Sequence, residues 1–329
     1  MAIARRALVQ SAKGMLFTSM FGLAASGAAA QGAFPTRPIR ITVPFAAGSA
    51  TDIMMRHLSQ HMQEALGQAI VIENRAGGAG VTGSEPVVRA PPDGYALLMA
   101  AVSSHAIAPA LRANMPYDVL RDFTPIGLAC TSTNFIVVHP SVPVHSLQEL
   151  VAYSKELPGG MSYGSGGVGG SNHLAGELLR LRTGANLVHV PYGNQAQAVN
   201  DVLAGHVPML IYTVAVLPHV QAGRMRALAV TSERRQLQAP DVPTAIEQGA
   251  AGVVANSWFA FFGPAHLPDV VRDKLYGAMR DALNDPGVAQ KLVDTGLTPA
   301  PMGPEEFSVF LQAELAKWTD VGRAANVRL

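Results

Sequence analysis

One cysteine, Cys130, is all the thiol in 329 residues, so no internal disulfide staples this chain. It sits in the apolar stretch at 126–130, a packing position rather than a reactive one. Charge is sparse as well. Only 14% of residues are Asp, Glu, Lys or Arg, with 24 basic residues against 23 acidic ones. That balance argues against nucleic acid and against an anionic membrane surface as partners. Beyond the first 30 residues no apolar run reaches the roughly 20 residues that a spanning helix needs. Tandem repeats, low-complexity tracts and charge runs are missing too.

The first 30 residues have the layout of an export signal. Arg5, Arg6 and Lys13 form a charged start, residues 15–25 are mostly apolar, and Ala28-Ala29-Ala30 is an A-x-A cleavage site. Arg5-Arg6 fits a twin-arginine signal only weakly, and no cysteine stands at the cleavage point to carry a lipid. Cleavage near Ala30 removes three basic residues and no acid. The mature chain then has 299 residues and a net charge of −2. That length suits two domains of ordinary size. The expected destination is outside the cytoplasm.

What the chain has in place of charge is glycine. Three loops rich in glycine and hydroxyls each follow an apolar run and precede a helical pattern: PFAAGSATD at 44–52, GGAGVTGS at 77–84 and YGSGGVGGSNH at 163–173. N–H groups at a helix start carry partial positive charge and hold an anion without help from Lys or Arg. None of the three loops contains either residue. The pattern points to a small acid held by main chain, not a polyanion held by a basic patch.

Strand and helix patterns alternate throughout, which predicts an α/β fold with largely parallel sheets. Strands are expected at 39–43, 69–73, 96–100, 134–139, 161–164, 186–190, 209–212 and 226–231, rich in Val and Ile and bounded by Gly or Pro. After the first loop, Met54, Leu58, Met62 and Ala65 share a helix face, with Gly67 as its stop. Ser146 and Glu149 form a capping box, and 195–204 is a helix closed by Gly205. Phe307, Phe310, Leu311, Leu315 and Trp318 line a last helix opened by Pro304. Stretches near 127–133 and 249–256 read as crossings between domains. The expected division is a signal peptide at 1–30, lobe 1 at 31–130 with 256–329, and lobe 2 at 131–255.

The motifs also occur together in a known order. They are PIRITVPFAAG at 38–48 with Thr51-Asp52, ENRAG at 73–77, PDGYALL at 92–98, and PYD at 116–118 with DFTPI at 122–126. YGS at 163–165 follows with HLAGE at 173–177, then HVPY at 189–192, and ALAVT at 227–231 with DVPT at 241–244, Glu247 and Gly249. In this set the chain resembles the Bug-type receptors, the periplasmic substrate-binding proteins of tripartite tricarboxylate transport systems. The resemblance runs from about Phe34 to the C-terminus.

It implies a two-lobed periplasmic-binding-protein fold of the type II, clamshell kind, with a ligand cleft between the lobes. It implies a periplasmic location, a small carboxylate as ligand, a di- or tricarboxylate or an acidic amino acid, and integral membrane transporter subunits as partners. By position, Ala47, Gly48, Ser49, Thr51 and Asp52 would line the near wall, with Phe45 behind it and Ser103 and Ser104 adding hydroxyls. Ser165, Gly166, Ser171 and Asn172 would face them, with Tyr192 and Asp201 as further candidates from lobe 2. For Asp52, helix capping is favoured over ligand contact. Two departures from the family pattern stand out. Ser49 replaces the second glycine of a Gly-Gly pair, and His206-Val207-Pro208 stands where an acid is usual. The proline removes a backbone donor there.

Other chemistries fit less well. Gly164-Ser165-Gly166-Gly167-Val168-Gly169 matches the dinucleotide G-x-G-x-x-G, but the next strand ends in His189-Val190-Pro191 without an acid for a ribose. The second loop lacks the lysine of a phosphate loop; Glu73-Asn74-Arg75 is expected to tie it to its own lobe. His57 and His61 are spaced like zinc ligands but have no third ligand, and a solvated face is the better reading. His173 is expected to cap the third loop or meet the ligand, and His189 to be structural. Trp258 and 259–262 read as core, with an aromatic ligand platform as the alternative. Ser165 lacks the glycine two residues earlier that a nucleophile elbow needs. The expectation is a non-enzymatic, monomeric receptor without cofactor or metal. A periplasmic sensor protein signalling to a membrane kinase is the nearest alternative, and a hydrolase or dehydrogenase is the remote one.

Overall fold

The computed structural model describes residues 34–329, and the expected leader at 1–30 lies outside the described residues. Two sheets organise the chain. In the larger, β1 (Ile39–Val43) lies between β2 (Ile70–Asn74) and β3 (Ala96–Ala101), all parallel. β10 (Ser257–Pro264) pairs antiparallel with β3 and with β4 (Phe123–Ser132), and β11 (Thr298–Met302) adds an edge to β4. In the smaller, β6 (Met161–Ser165) is parallel to β7 (Leu187–Pro191) and β8 (Met209–Tyr212). β5 (Phe135–Val138) runs antiparallel to β8 and to β9 (Arg226–Val230).

Both sheets are mixed, where largely parallel sheets were expected. The cause is the chain path. β4 leaves the larger sheet for the smaller, and β10 returns beside it, so the two run in opposite senses. The first crossing is short, Thr133-Asn134, because most of the stretch near 127–133 belongs to β4. The second occupies 231–256.

Helices cover the sheets. With the larger sheet go α1 (Ala50–Leu66), α2 (Val81–Val88) and α3 (Ala108–Leu111), the last preceded by a π-helical turn at Ser103–Ile107. α4 (Leu147–Glu156), α5 (Ser171–Thr183), α6 (Gln195–Leu203) and α7 (Leu217–Gln221) lie within the smaller-sheet segment. α8 (Asp269–Asn284), α9 (Pro286–Asp294) and α10 (Pro304–Ala324) follow β10. No helix among the described residues is long and apolar enough to cross a membrane.

The core explains why the strands read as unbroken apolar runs. In β5, Ile136 and Val138 pack on one side with Leu174 and Leu178 of α5, while Phe135 and Val137 pack on the other with Ala198 and Val202 of α6. A strand covered on both faces has no polar side to alternate with. In β10, Trp258 and Phe262 meet Phe307 of α10 edge-on at 5.9 and 5.4 Å between ring centres. Cys130 is fully buried in β4, and burial pushes its thiol far above the ordinary range.

The two crossings are stitched to each other. Thr231 N–H donates to the Asn134 carbonyl at 2.9 Å, and Asn134 Nδ2 donates to the Ala255 carbonyl at 2.6 Å. Asn172 of α5 joins them, its Nδ2 donating to Asn134 Oδ1 at 2.7 Å.

Candidate functional site

The carboxyl ends of the parallel strands carry the glycine loops, the usual place for a ligand in an open α/β sheet. β1 feeds the first loop, where Gly48 takes φ 79°, a conformation other residues adopt only with strain. Ser49 caps α1: its hydroxyl accepts the Asp52 N–H at 3.3 Å. That assigns a local role to the serine replacing glycine.

Asp52 is 2% exposed and reaches back over the turn. Its Oδ2 accepts the Gly48 N–H and Arg56 Nε, both at 2.9 Å, and its Oδ1 accepts Asn74 Nδ2 at 3.0 Å. Burial opposes its charge, but the bonds from Arg56, Gly48 and Asn74 outweigh burial and hold the carboxyl below its usual value. The Gly48 donor is thus committed inside the protein. The N–H groups of Ala47, Ala50 and Thr51 find no acceptor among the described residues.

The second and third strand ends close on this loop. Gly83 permits the approach, because a Cβ there would lie 2.1 Å from the Arg75 carbonyl oxygen and 2.8 Å from Pro44 Cα. Asn74 Nδ2 also donates to the Phe45 carbonyl at 3.2 Å, and Arg75 pairs with Glu73 at 3.1 Å, the tie expected of these residues. The half-buried Phe45 ring and Ser104 both lie against Gly80, where a Cβ would be 2.9 and 3.0 Å away. Ser103 Oγ donates to the Ala79 carbonyl at 3.2 Å.

Ser104 is fully buried, with its hydroxyl donating to the Ala101 carbonyl at 3.1 Å, so that hydroxyl is used internally. Arg112, which the sequence reading passed over, donates from Nη2 to the Gly78 carbonyl at 3.2 Å. The loops themselves carry no cation, yet Arg56 and Arg112 reach them from neighbouring helix positions.

The smaller sheet presents the opposing set. Ser165 is fully buried at the end of β6, its Oγ 2.6 Å from His189 Nε2 and accepting the Gly167 N–H at 3.2 Å. His173 Nδ1 accepts the Gly169 N–H at 3.0 Å, and its ring stacks on His189 at 3.7 Å. Nδ1 is therefore unprotonated. Burial lowers both imidazoles, His189 to about 4 with the charge of His173 adding to the effect. The Ser165–His189 contact is a clasp inside the loop. Its hydroxyl is sealed from solvent, and the nearby acid, Glu177, sits 3.9 Å from His173 instead.

Gly166 lies beneath Gln195, whose Nε2 would be 2.5 Å from a Cβ at that position, and Gln195 Oε1 accepts the Tyr212 hydroxyl at 2.9 Å. Gln195 and Tyr212 were not anticipated. Their signal is positional, since one opens α6 just after β7 and the other ends β8. The N–H groups of Gly166, Val168 and Ser171 have no acceptor among the described residues. Tyr192 donates to Asp201 at 2.7 Å, and burial together with that bond and the Asp201 charge pushes its phenol up to about 12.

Ser171 meets the start of β10 and Asn172 meets the first crossing. Ser171 Oγ accepts from Ser257 Oγ at 2.9 Å, and Asn172 is buried against Asn134. Leu329 packs its side chain against Gly169 while its N–H donates to the Leu111 carbonyl at 3.1 Å, joining the third loop to α3. His206, where the family usually has an acid, is exposed, with Nδ1 3.8 Å from Asp201. Among the described residues no group of three or more His, Cys, Asp or Glu side chains is placed to hold a metal.

Two α/β sheets, joined by two stitched crossings and each ending in glycine loops at helix starts, make the two-lobed fold of periplasmic binding proteins. The comparisons agree. Residues 54–327 match the model of the tripartite tricarboxylate transporter family receptor, and the chain belongs to that family. It is 34% identical to Protein BugT of Bordetella pertussis over 316 residues, 95% of this chain and 96% of that protein. An R. palustris protein solved with adipate is 31% identical, with a TM-score of 0.76 over 90% of this chain and 99% of that one. MatC from Rhodopseudomonas palustris, solved with bound malate, is 28% identical, with a TM-score of 0.71 over 88% and 99%.

Proposed function

We propose that the protein is an exported receptor that captures a small carboxylate and delivers it to the integral membrane subunits of a tripartite tricarboxylate-type transporter. The observation that carries this reading is the pair of unpartnered N–H groups at the start of α1, Ala50 and Thr51, with Ala47 beside them. They form a donor set of the kind that holds one carboxylate group. Gly166, Val168 and Ser171 supply a second set from the smaller sheet, suited to the other end of a diacid or to an acidic amino acid. Phe45, Ser103, Gln195 and Tyr192 complete the walls. Adipate and malate in the two solved relatives support the ligand class.

In this reading the lobes are 31–130 with 256–329, and 131–255. The Asn134–Thr231–Ala255 tie is the hinge, and ligand contacts made from both lobes favour the closed state by differential affinity. Export with cleavage near Ala30 places the receptor in the periplasm. The test is a thermal-shift screen of the mature protein against adipate, malate, citrate, aspartate, glucose and divalent metal ions. A ligand about a hundredfold above its dissociation constant stabilises by about 2.7 kcal/mol. A carboxylate in the panel should raise the melting temperature, and a response confined to glucose or metal would overturn the assignment.

A further inference from the structure

The third loop has little of its own to pack with. Residues 166–170 read Gly-Gly-Val-Gly-Gly, and the one side chain among them beyond hydrogen, Val168, is 52% exposed. Glycine has the largest backbone freedom, so such a run is ordered by the groups that hold it. Hydrogen bonds within the smaller-sheet segment do part of this: Gly167 N–H to Ser165 Oγ at 3.2 Å, Gly169 N–H to His173 Nδ1 at 3.0 Å, and Gly170 N–H to the Gly167 carbonyl at 3.3 Å. Gln195 covers the start of the run at Gly166. At its far end the cover comes from the other side of the molecule. Leu329 fills the space beside Gly169 where a side chain would stand: a Cβ there would be 2.6 Å from Leu329 Cδ2 and 2.7 Å from Cδ1.

The element that carries Leu329 is firmly seated. Leu329 N–H donates to the Leu111 carbonyl at 3.1 Å. Leu111 is buried and packs on Gly322 of α10 so closely that a Cβ there would be 2.2 Å from its Cδ2. Val327 N–H donates to the Gly322 carbonyl at 2.9 Å, holding the chain after α10 to the same turn. Arg112, next to Leu111, donates to the Gly78 carbonyl of the second loop. Leu329 therefore joins a rigid part of the larger-sheet side to a glycine run on the smaller-sheet side.

We propose that Leu329 is a positioning residue for ligand capture: wedged against Gly169, it orders the third loop so that the N–H groups of Gly166 and Val168 are set before a carboxylate arrives. The proposal rests on the reading of that loop as one end of the carboxylate site. A ligand that meets an ordered loop does not have to order it, so the wedge acts on affinity through entropy. Its part in overall stability is small, because Leu329 is 44% exposed.

The experiment uses Leu329→Ala, which removes the wedge and keeps the N–H that bonds Leu111. Amide hydrogen exchange of the ligand-free mature protein, followed by NMR, should be at least about fivefold faster at Gly169 and Gly170, the change expected for half of a leucine contact. Exchange in β5 and β10 and the melting temperature should stay as in wild type. Calorimetry with adipate, malate, citrate and aspartate should show the best-bound acid weakened by about fivefold, with the loss in the entropy. Leu329→Met, which keeps the bulk, should restore most of it. Wild-type exchange at Gly169 and Gly170 would overturn the proposal whatever the ligand, and so would faster exchange with unchanged affinity. A lowered melting temperature with faster exchange throughout the chain would overturn it too, by showing a general structural role. A wild type that binds none of the four acids would instead count against the carboxylate reading, and the exchange measurement alone would then decide whether Leu329 orders the loop.

Discussion

The carboxylate of Asp52 accepts the N–H of Gly48 at 2.9 Å across the turn that Ser49 caps. α4 opens the same way: Glu149 accepts the His145 N–H at 2.6 Å while Ser146 accepts that of Glu149 at 3.1 Å. In both, the acid at the third helical position reaches one residue beyond the cap, a variation on the capping box. At α4 the device is exposed and only starts a helix. At α1 the acid is buried, and it orders the loop whose remaining donors stay free.

Asp52→Ala should therefore destabilise the fold, because Gly48, Asn74 and Arg56 lose a shared acceptor. The expected cost is about 2–3 kcal/mol in urea unfolding at neutral pH, with Asp52→Asn costing less. Its folded-state pKa lies below the ordinary 3.8. The stabilisation is then present above the unfolded value and disappears as pH falls through the folded one. The gap between wild type and Asp52→Ala should narrow below about pH 4. A gap that widened on acidification would contradict the assigned ion pairing.

Ala50→Pro separates ligand capture from folding. Ala50 is the first helical residue of α1, a position where proline is welcome, and Ser49 before it has φ −68° and ψ 160°, which proline tolerates in its predecessor. Stability should stay within about 1 kcal/mol of wild type. The Ala50 N–H is lost, so carboxylate affinity by calorimetry should fall at least about tenfold, the worth of one hydrogen bond to a charged group. Gly48 offers no such probe, since its φ of 79° excludes proline and its N–H already serves Asp52. Unchanged affinity in Ala50→Pro would remove the α1 start from the site.

The parallel strands and their glycine loops were readable because each is a short, largely apolar run with glycine or proline close by, as β1 shows with IRITV running into Pro44 and β7 with LVHVP. β11 was not. Its sequence, Thr298–Met302, holds two prolines, which reads as loop, and it is tolerated because the strand lies at the sheet edge with few ladder bonds to make. β4 carries Pro125 and Gly127 and shifts register against β10, so neither period shows. In the loops, spacing identifies which residues sit at a helix start. Whether a donor remains free depends on partners far away in sequence. Asn74 and His189 settle the fates of Asp52 and Ser165 from 22 and 24 residues away. Buried Ser165, Asn172 and Ser104 looked like ligand groups because their types suit the task, and packing spends them elsewhere.

The stacked His173 and His189 make the smaller-sheet loop acid-sensitive. His189 titrates near 4 when folded against 6.5 when free, since burial and its neighbour disfavour the proton. A depressed folded value contributes stability above the unfolded pKa that is lost as pH falls toward the folded one. Wild type should lose stability between about pH 6.5 and 4. In His189→Gln, which retains a group able to bond Ser165, the loss over that window should be smaller. Denaturant unfolding at pH 7 and pH 5 checks this, and an identical pH slope in the variant would show that His189 is not a source.

Glu314 is the buried charge on which both tryptophans depend. It accepts Trp258 Nε1 at 3.0 Å and Trp318 Nε1 at 2.9 Å, and it pairs with Lys317, which lies 4.6 Å from the Trp318 ring centre. Glu314→Ala leaves two buried indole donors and a cation without their acceptor, which should cost about 3–5 kcal/mol. Glu314→Gln keeps an acceptor and gives up only the charge, so its cost should be about 1–2 kcal/mol. Unfolding followed by tryptophan emission separates the two. Equal costs would mean that the indoles find other acceptors when the carboxylate is gone, and that α10 is held to β10 by ring packing alone.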